Sequence, residues 1–132
     1  MTTEAEAKIL VDKTVDYMEN KYAGSWRNVI CVMGDDGDNN DHIGKAELIA
    51  KQVEEEHASM QVNRIYWDAY KREAGASGYS YPAVTADIKQ QMEEGCLVMN
   101  YSGHGNPREL SHELVLKMAD FSSFSSPNLP LW

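Results

Sequence analysis

Cys96-Leu97-Val98-Met99-Asn100-Tyr101-Ser102-Gly103-His104-Gly105-Asn106-Pro107 is the stretch whose reading decides the fold. Its first four residues are apolar, and the run then breaks on two glycines flanking one histidine, with a proline just beyond. A short buried strand that ends in a glycine-relaxed loop presents its histidine at the tip of a sheet, a place where chemistry is commonly done.

Upstream, Tyr81-Pro82 opens a helix with Val84, Ile88 and Met92 at i, i+4 and i+8, and Gly95 suits its C-terminal stop. Earlier still, Val29-Ile30-Cys31-Val32-Met33, closed by Gly34, reads as a first buried strand. A strongly acidic loop from Asp35 to His42 follows it. A helix from Gly44 to His57 buries Ala46, Ile49, Ala50 and Val53, with Glu54-Glu55-Glu56 toward water. Met60 to Trp67 is a second strand, and the polar segment Lys71 to Ser80 is expected to be a mobile loop. At the start, Val11, Val15, Met18 and Tyr22 fall at helical spacing within Glu4 to Tyr22. Downstream of the histidine a short helix is expected from Ser111 to Met118.

Strand, helix, strand, helix, strand is the pattern of a parallel α/β sheet. The economical order is 2-1-3, with the first strand central. Winding then reverses between strands 1 and 3, so the acidic loop and the histidine loop share the crevice at the switch point. Strand 3 is left as an open edge, a liability that proteins normally cover. Self-association or a reorganised C-terminal tail is expected to satisfy it. Leu129-Pro130-Leu131-Trp132 resembles the opening of another strand, so the chain reads as truncated.

The 132 residues suffice for one domain with a real core. A net charge of −9 and pI near 4.8 argue against nucleic acid as a partner, because phosphate binding needs clustered Lys and Arg. Nothing near the N-terminus has the charge and apolar pattern of a signal peptide. Cys31 and Cys96 lie inside apolar runs and read as buried thiols rather than a disulfide framework.

Two constellations carry possible chemistry. His104 is either a turn residue or a general acid/base whose flanking glycines turn backbone N–H groups toward a reacting oxygen. It lacks a nucleophile: Cys96 sits at the far end of the same strand and Cys31 inside strand 1. A metal there would need more ligands than His112, and no H-E-x-x-H pattern is present, so no metal or cofactor is expected. In the acidic loop, Asp36, Asp38, Asn40 and Glu47 fall at calcium-loop positions 1, 3, 5 and 12, although Asp41 replaces the glycine and a strand precedes. The same carboxylates could cap the next helix, or Asp35 and Asp36 could make the crevice electronegative and select a basic substrate side chain.

Trp26-Arg27-Asn28, Gly34-Asp35-Asp36-Gly37-Asp38, Asp68-Ala69-Tyr70, Tyr81-Pro82 and Asn100 to Gly105, taken in order, resemble the gingipain-type cysteine peptidases over nearly the whole chain. The resemblance implies a caspase-like three-layer α/β fold with helices on both faces of the 2-1-3 sheet. It also implies hydrolysis of protein or peptide substrates by a Cys–His pair, at the cell surface or outside the cell. By resemblance His104 protonates the leaving amine and the Gly105 N–H serves the oxyanion hole. The segment Leu129 to Trp132 matches the place where that family begins the strand bearing its catalytic cysteine. On that reading residues 1–132 are the N-terminal part of a single peptidase domain, cut before the nucleophile and inert alone. The competing reading is a non-catalytic acidic interaction or calcium-binding module.

Overall fold

A computed structural model describes residues 3–76, 78–128 and 130–132. Three strands form the central parallel sheet: β1 (Val29–Gly34), β2 (Gln61–Tyr66) and β5 (Val98–Ser102), in the order β2-β1-β5. This is the expected 2-1-3 order. The register aligns Cys31 with Asn63 and Met99, and Met33 with Ile65 and Tyr101.

Alternation across the strands assigns each face of the sheet to one helix. On one face Cys31, Met33, Ile65 and Met99 join Val84, Ile88 and Met92 of α3 (Pro82–Glu94) in the main core cluster, and Asn63 Nδ2 donates to Gln91 of that helix at 2.6 Å. On the other face Arg64 and Tyr66 reach α2 (Gly37–Glu56): Arg64 Nε donates to Glu47 at 2.8 Å, and the Tyr66 hydroxyl to the same carboxylate at 2.9 Å. Val32, Ala46 and Ala50 are fully buried on this side. Helices therefore cover both faces, as in a caspase-like peptidase fold. Gly34 permits the close approach of α2, since a Cβ there would sit 2.9 Å from the Ile43 Cα.

Several expectations change in detail. The first helix, α1 (Glu4–Met18), is capped by Thr3 with Glu6 but buries no residue. Val11, Val15 and Met18 are exposed, so the helical spacing is present without a core beneath it. Leu10, Tyr17 and Met18 instead line a groove of about 720 Å³ with Trp26, Phe124 and Leu131. On α2, Ile49 is exposed although Ala46 and Ala50 are buried. The segment expected as a mobile loop contains an antiparallel pair, β3 (Glu73–Gly75) and β4 (Gly78–Ser80); Ser77 between them lies outside the described residues.

The helix expected from Ser111 to Met118 is not formed. In its place β6 (Gly105–Asn106), β7 (Glu109–Leu110) and β8 (Leu116–Lys117) make a small antiparallel ribbon, and a 3-10 turn follows at Met118–Ser123. Ser111 and Leu114 take positive φ of 63° and 57°, which interrupts a helix at both places. The ribbon delivers Val115 and Leu116 side by side into the core, both essentially inaccessible.

The β5 edge is partly covered. Leu131 forms a parallel bridge with Val98: its carbonyl accepts from Met99 N at 2.8 Å and its N–H donates to Leu97 O at 3.1 Å. Leu129, first residue of the expected terminal strand, lies outside the described residues. No helix among the described residues is long and apolar enough to cross a membrane.

Ile88 is fully buried at the centre of the core, whereas Leu48 is largely exposed on α2. Urea denaturation should register a loss of about 2–5 kcal/mol for Ile88→Ala and a change within about 0.5 kcal/mol for Leu48→Ala. Equal losses would show that the two-faced packing is wrongly assigned.

Candidate active site

The parallel ladder runs one step beyond β1, because Asp35 N donates to Ser102 O at 3.2 Å. That contact brings the acidic loop and the histidine loop together, in the crevice expected from the strand order. Asp35 is 2% exposed, and a buried carboxyl group needs partners. It has three. Oδ2 accepts the backbone N–H of His104 at 2.6 Å and lies 3.0 Å from the Tyr101 hydroxyl; Oδ1 accepts Gly37 N at 3.1 Å. The Tyr101 hydroxyl also reaches the His104 carbonyl at 2.7 Å, so the backbone N–H and carbonyl of His104 are both held. Burial, then the adjacent Asp35, pushes the Tyr101 hydroxyl pKa well above its usual value, so it stays protonated.

Two glycines make this packing possible. A Cβ on Gly103 would overlap the Tyr101 hydroxyl and Asp35 Oδ2 at 2.5 Å or less, and one on Gly37 would come within 2.8 Å of His104 Nδ1. A side chain at Gly37 would displace the histidine ring, and one at Gly103 would displace Tyr101 or Asp35.

The His104 imidazole is half-buried, with Nδ1 3.4 Å from Asp35 Oδ2 and Nε2 3.4 Å from Asp38 Oδ2. It lies between two other rings. His42 meets it edge-on and His112 stacks on it, each with ring centroids 4.8 Å away. His42 Nε2 in turn lies 3.4 Å from Asp38 Oδ2 and 3.9 Å from Asp35 Oδ1. Sequence reasoning placed His42 only at the end of an acidic loop. The usable signal was its i, i+4 spacing from Asp38 in the loop after strand 1. Asp38, Asn39 and Asn40 all adopt left-handed φ of 52–65°, a conformation that Asn and Asp accept more readily than most residues, and this turn swings the loop back over the histidine.

Gly105 follows His104 at the start of the ribbon, where Ser111 N donates to His104 O at 2.8 Å. Antiparallel pairs alternate between hydrogen-bonded and open positions, so the neighbouring Gly105–Leu110 pair is an open one. The Gly105 N–H therefore points away from β7, toward the exposed side. Asp36 is partly buried at the crevice edge, and its Oδ2 accepts the Tyr81 hydroxyl at 2.6 Å. Asp35, expected with Asp36 at the substrate, is buried beneath His104, with Asp36 and Asp38 nearer the surface.

The four calcium-loop residues do not converge. Asp36 holds Tyr81, Asp38 faces the two histidines, and Asn40 reaches Asp68 at 3.5 Å. Glu47 is taken by Arg64 and Tyr66 on the α2 face, and Arg64 first of all holds its pKa below the usual carboxylate range. The calcium-loop spacing therefore fails on geometry.

Neither cysteine approaches the histidine's chemistry. Cys31 and Cys96 are fully buried free thiols. Burial, reinforced by the neighbouring Cys96, pushes Cys31 up to about 12, and burial pushes Cys96 up to about 11. A nucleophilic thiol needs the opposite shift.

A half-buried imidazole held over a buried carboxyl group has the chemistry to take up and release a proton. The family model described as Peptidase family C25 matches residues 1–132, and the chain belongs to that family, the gingipain family of cysteine peptidases. No curated protein and no solved structure matches it.

Tyr101→Phe keeps the ring stacked on Trp67 (centroids 5.7 Å apart) but removes the hydroxyl shared by Asp35 and His104. The expected cost is about 1–3 kcal/mol of stability in urea, the usual loss when a buried polar group is left unpartnered. An unchanged midpoint would mean that the hydroxyl does not bridge them.

Proposed function

We propose that residues 1–132 supply the histidine half of a gingipain-type cysteine peptidase active site, in a domain of the PorU type, the sortase of the type IX secretion system of Bacteroidetes. The observation that carries this is the Asp35-held His104 with the outward Gly105 N–H beside it. A cysteine thiolate attacks the peptide carbonyl, Gly105 N–H steadies the oxyanion, and His104 protonates the departing amine. Asp35 acts as a positioning residue, and Asp36 with Asp38 keeps the rim negative, which suits a basic substrate side chain. The substrates are proteins bound for the cell surface or exterior.

Neither thiol in residues 1–132 supplies the nucleophile, since both are buried with raised pKa values. The parallel bridge of Leu131 to Val98 extends the sheet on the β5 side, next to the strand that leads to His104. Residues 1–132 alone are therefore inert, and the acidic surface does not define a separate calcium module.

A peptidyl chloromethyl ketone tests the reading. Residues 1–132 should hydrolyse no peptide and remain unlabelled at Cys31 and Cys96. Where residues 1–132 are joined to a segment that carries a further cysteine, the reagent should alkylate that cysteine, and His104→Ala should abolish this. Labelling of Cys31 or Cys96 in the folded chain, or turnover by residues 1–132, would refute it.

A further inference from the structure

The histidine cluster contains more donors than an acid/base site needs. His42 Nε2 and His104 Nδ1 are both buried without a hydrogen-bond partner, and both face the Asp35 carboxyl group, at 3.9 and 3.4 Å. Unpartnered buried nitrogens are costly, so two at one carboxyl group call for an explanation. The donor atoms of Asp35, His42 and His104 all lie within 4.8 Å of one another. Around a tetrahedral zinc ion with bonds of about 2.0–2.1 Å, neighbouring donors stand about 3.3–3.4 Å apart. The His104 Nδ1–Asp35 Oδ2 separation of 3.4 Å matches that, the His42 Nε2–Asp35 Oδ1 separation of 3.9 Å needs a small inward rotation of the imidazole, and Asp38 Oδ2, 3.4 Å from His42 Nε2, is placed to approach the open position.

We propose that Asp35, His42 and His104 bind a borderline transition-metal dication of the zinc class, and that this ion reversibly withdraws His104 from acid/base work. The donor chemistry selects the metal. Two imidazoles and one carboxylate suit zinc, whereas calcium and magnesium prefer all-oxygen shells. Asp35 has lone pairs to spare: an ionised carboxylate offers about four acceptor sites, and Gly37, Tyr101 and His104 N engage three. Those same donors are the outer hydrogen bonds that orient a metal-binding carboxylate. The sequence argued against a metal because only His112 lay near His104 along the chain; His42 and Asp35 arrive through the fold. Binding itself needs only this geometry, while the inhibitory consequence rests on the peptidase reading above.

Calorimetric titration of zinc chloride into the chain tests the site without any turnover. A single ion should bind, magnesium chloride should give no heat, and His42→Ala and His104→Ala should each weaken zinc by about tenfold or more. His57→Ala, at the exposed end of α2, should leave it unchanged. Cobalt(II) bound at the site should show tetrahedral visible bands without a thiolate charge-transfer band. If His42→Ala unfolds by circular dichroism, His42→Gln replaces it with the same expectation. Absence of zinc heat, unaltered affinity in the folded His42 variant, or a thiolate band would overturn the proposal. None of these results would touch the peptidase reading, which stands on the chloromethyl ketone experiment.

Discussion

The hydrogen bonds accepted by the Asp35 carboxyl group are the constraint on which the site depends. Its three donors come from the start of α2, from β5 and from the loop after β5, segments as far apart in sequence as Gly37 and His104. A carboxyl group removed from water must have such partners, so the three segments are held in one arrangement or the burial becomes unfavourable. Glycine at 37 and 103 is the steric counterpart of this bond set, because side chains there would occupy the space that Asp35, Tyr101 and His104 share.

The sheet makes that convergence possible. Parallel pairing of β5 with β1 sets Ser102 beside Gly34, so the next residue of the first strand, Asp35, emerges next to the histidine loop. Each face of the sheet is closed by one helix, which leaves the carboxyl ends of the strands as the place where polar side chains gather. The long groove beside α1 shares none of these residues and belongs to a different part of the surface.

The sheet order was legible because its strands are apolar runs with clear glycine stops, and α3 because Val84, Ile88 and Met92 repeat at helical spacing above a proline start. The ribbon after His104 was not. Leu114-Val115-Leu116 reads as part of a helix until the fold demands that adjacent Val115 and Leu116 both enter the core, which positive φ at Ser111 and Leu114 achieves. The stripe on α1 misled in the opposite sense: its spacing is helical, but spacing does not say whether a partner surface exists. His104 and Gly105 stood out from flanking glycines, whereas His42, 62 residues away along the chain, enters the site only through a left-handed turn at Asp38 to Asn40. Asp35 was visible as an acidic loop residue; its burial followed from the one-step extension of the ladder, which no single loop motif records.

The central claim is that Asp35 holds the His104 peptide unit in place, and amide hydrogen exchange at His104 tests it most directly. The His104 N–H, 2.6 Å from Asp35 Oδ2, should be strongly protected, with a proton resonance far downfield, in contrast to an open glycine-flanked loop. Protection should vanish in Asp35→Ala while the β1 amides remain slow. Rapid exchange of the His104 amide in the unmodified chain would contradict the account.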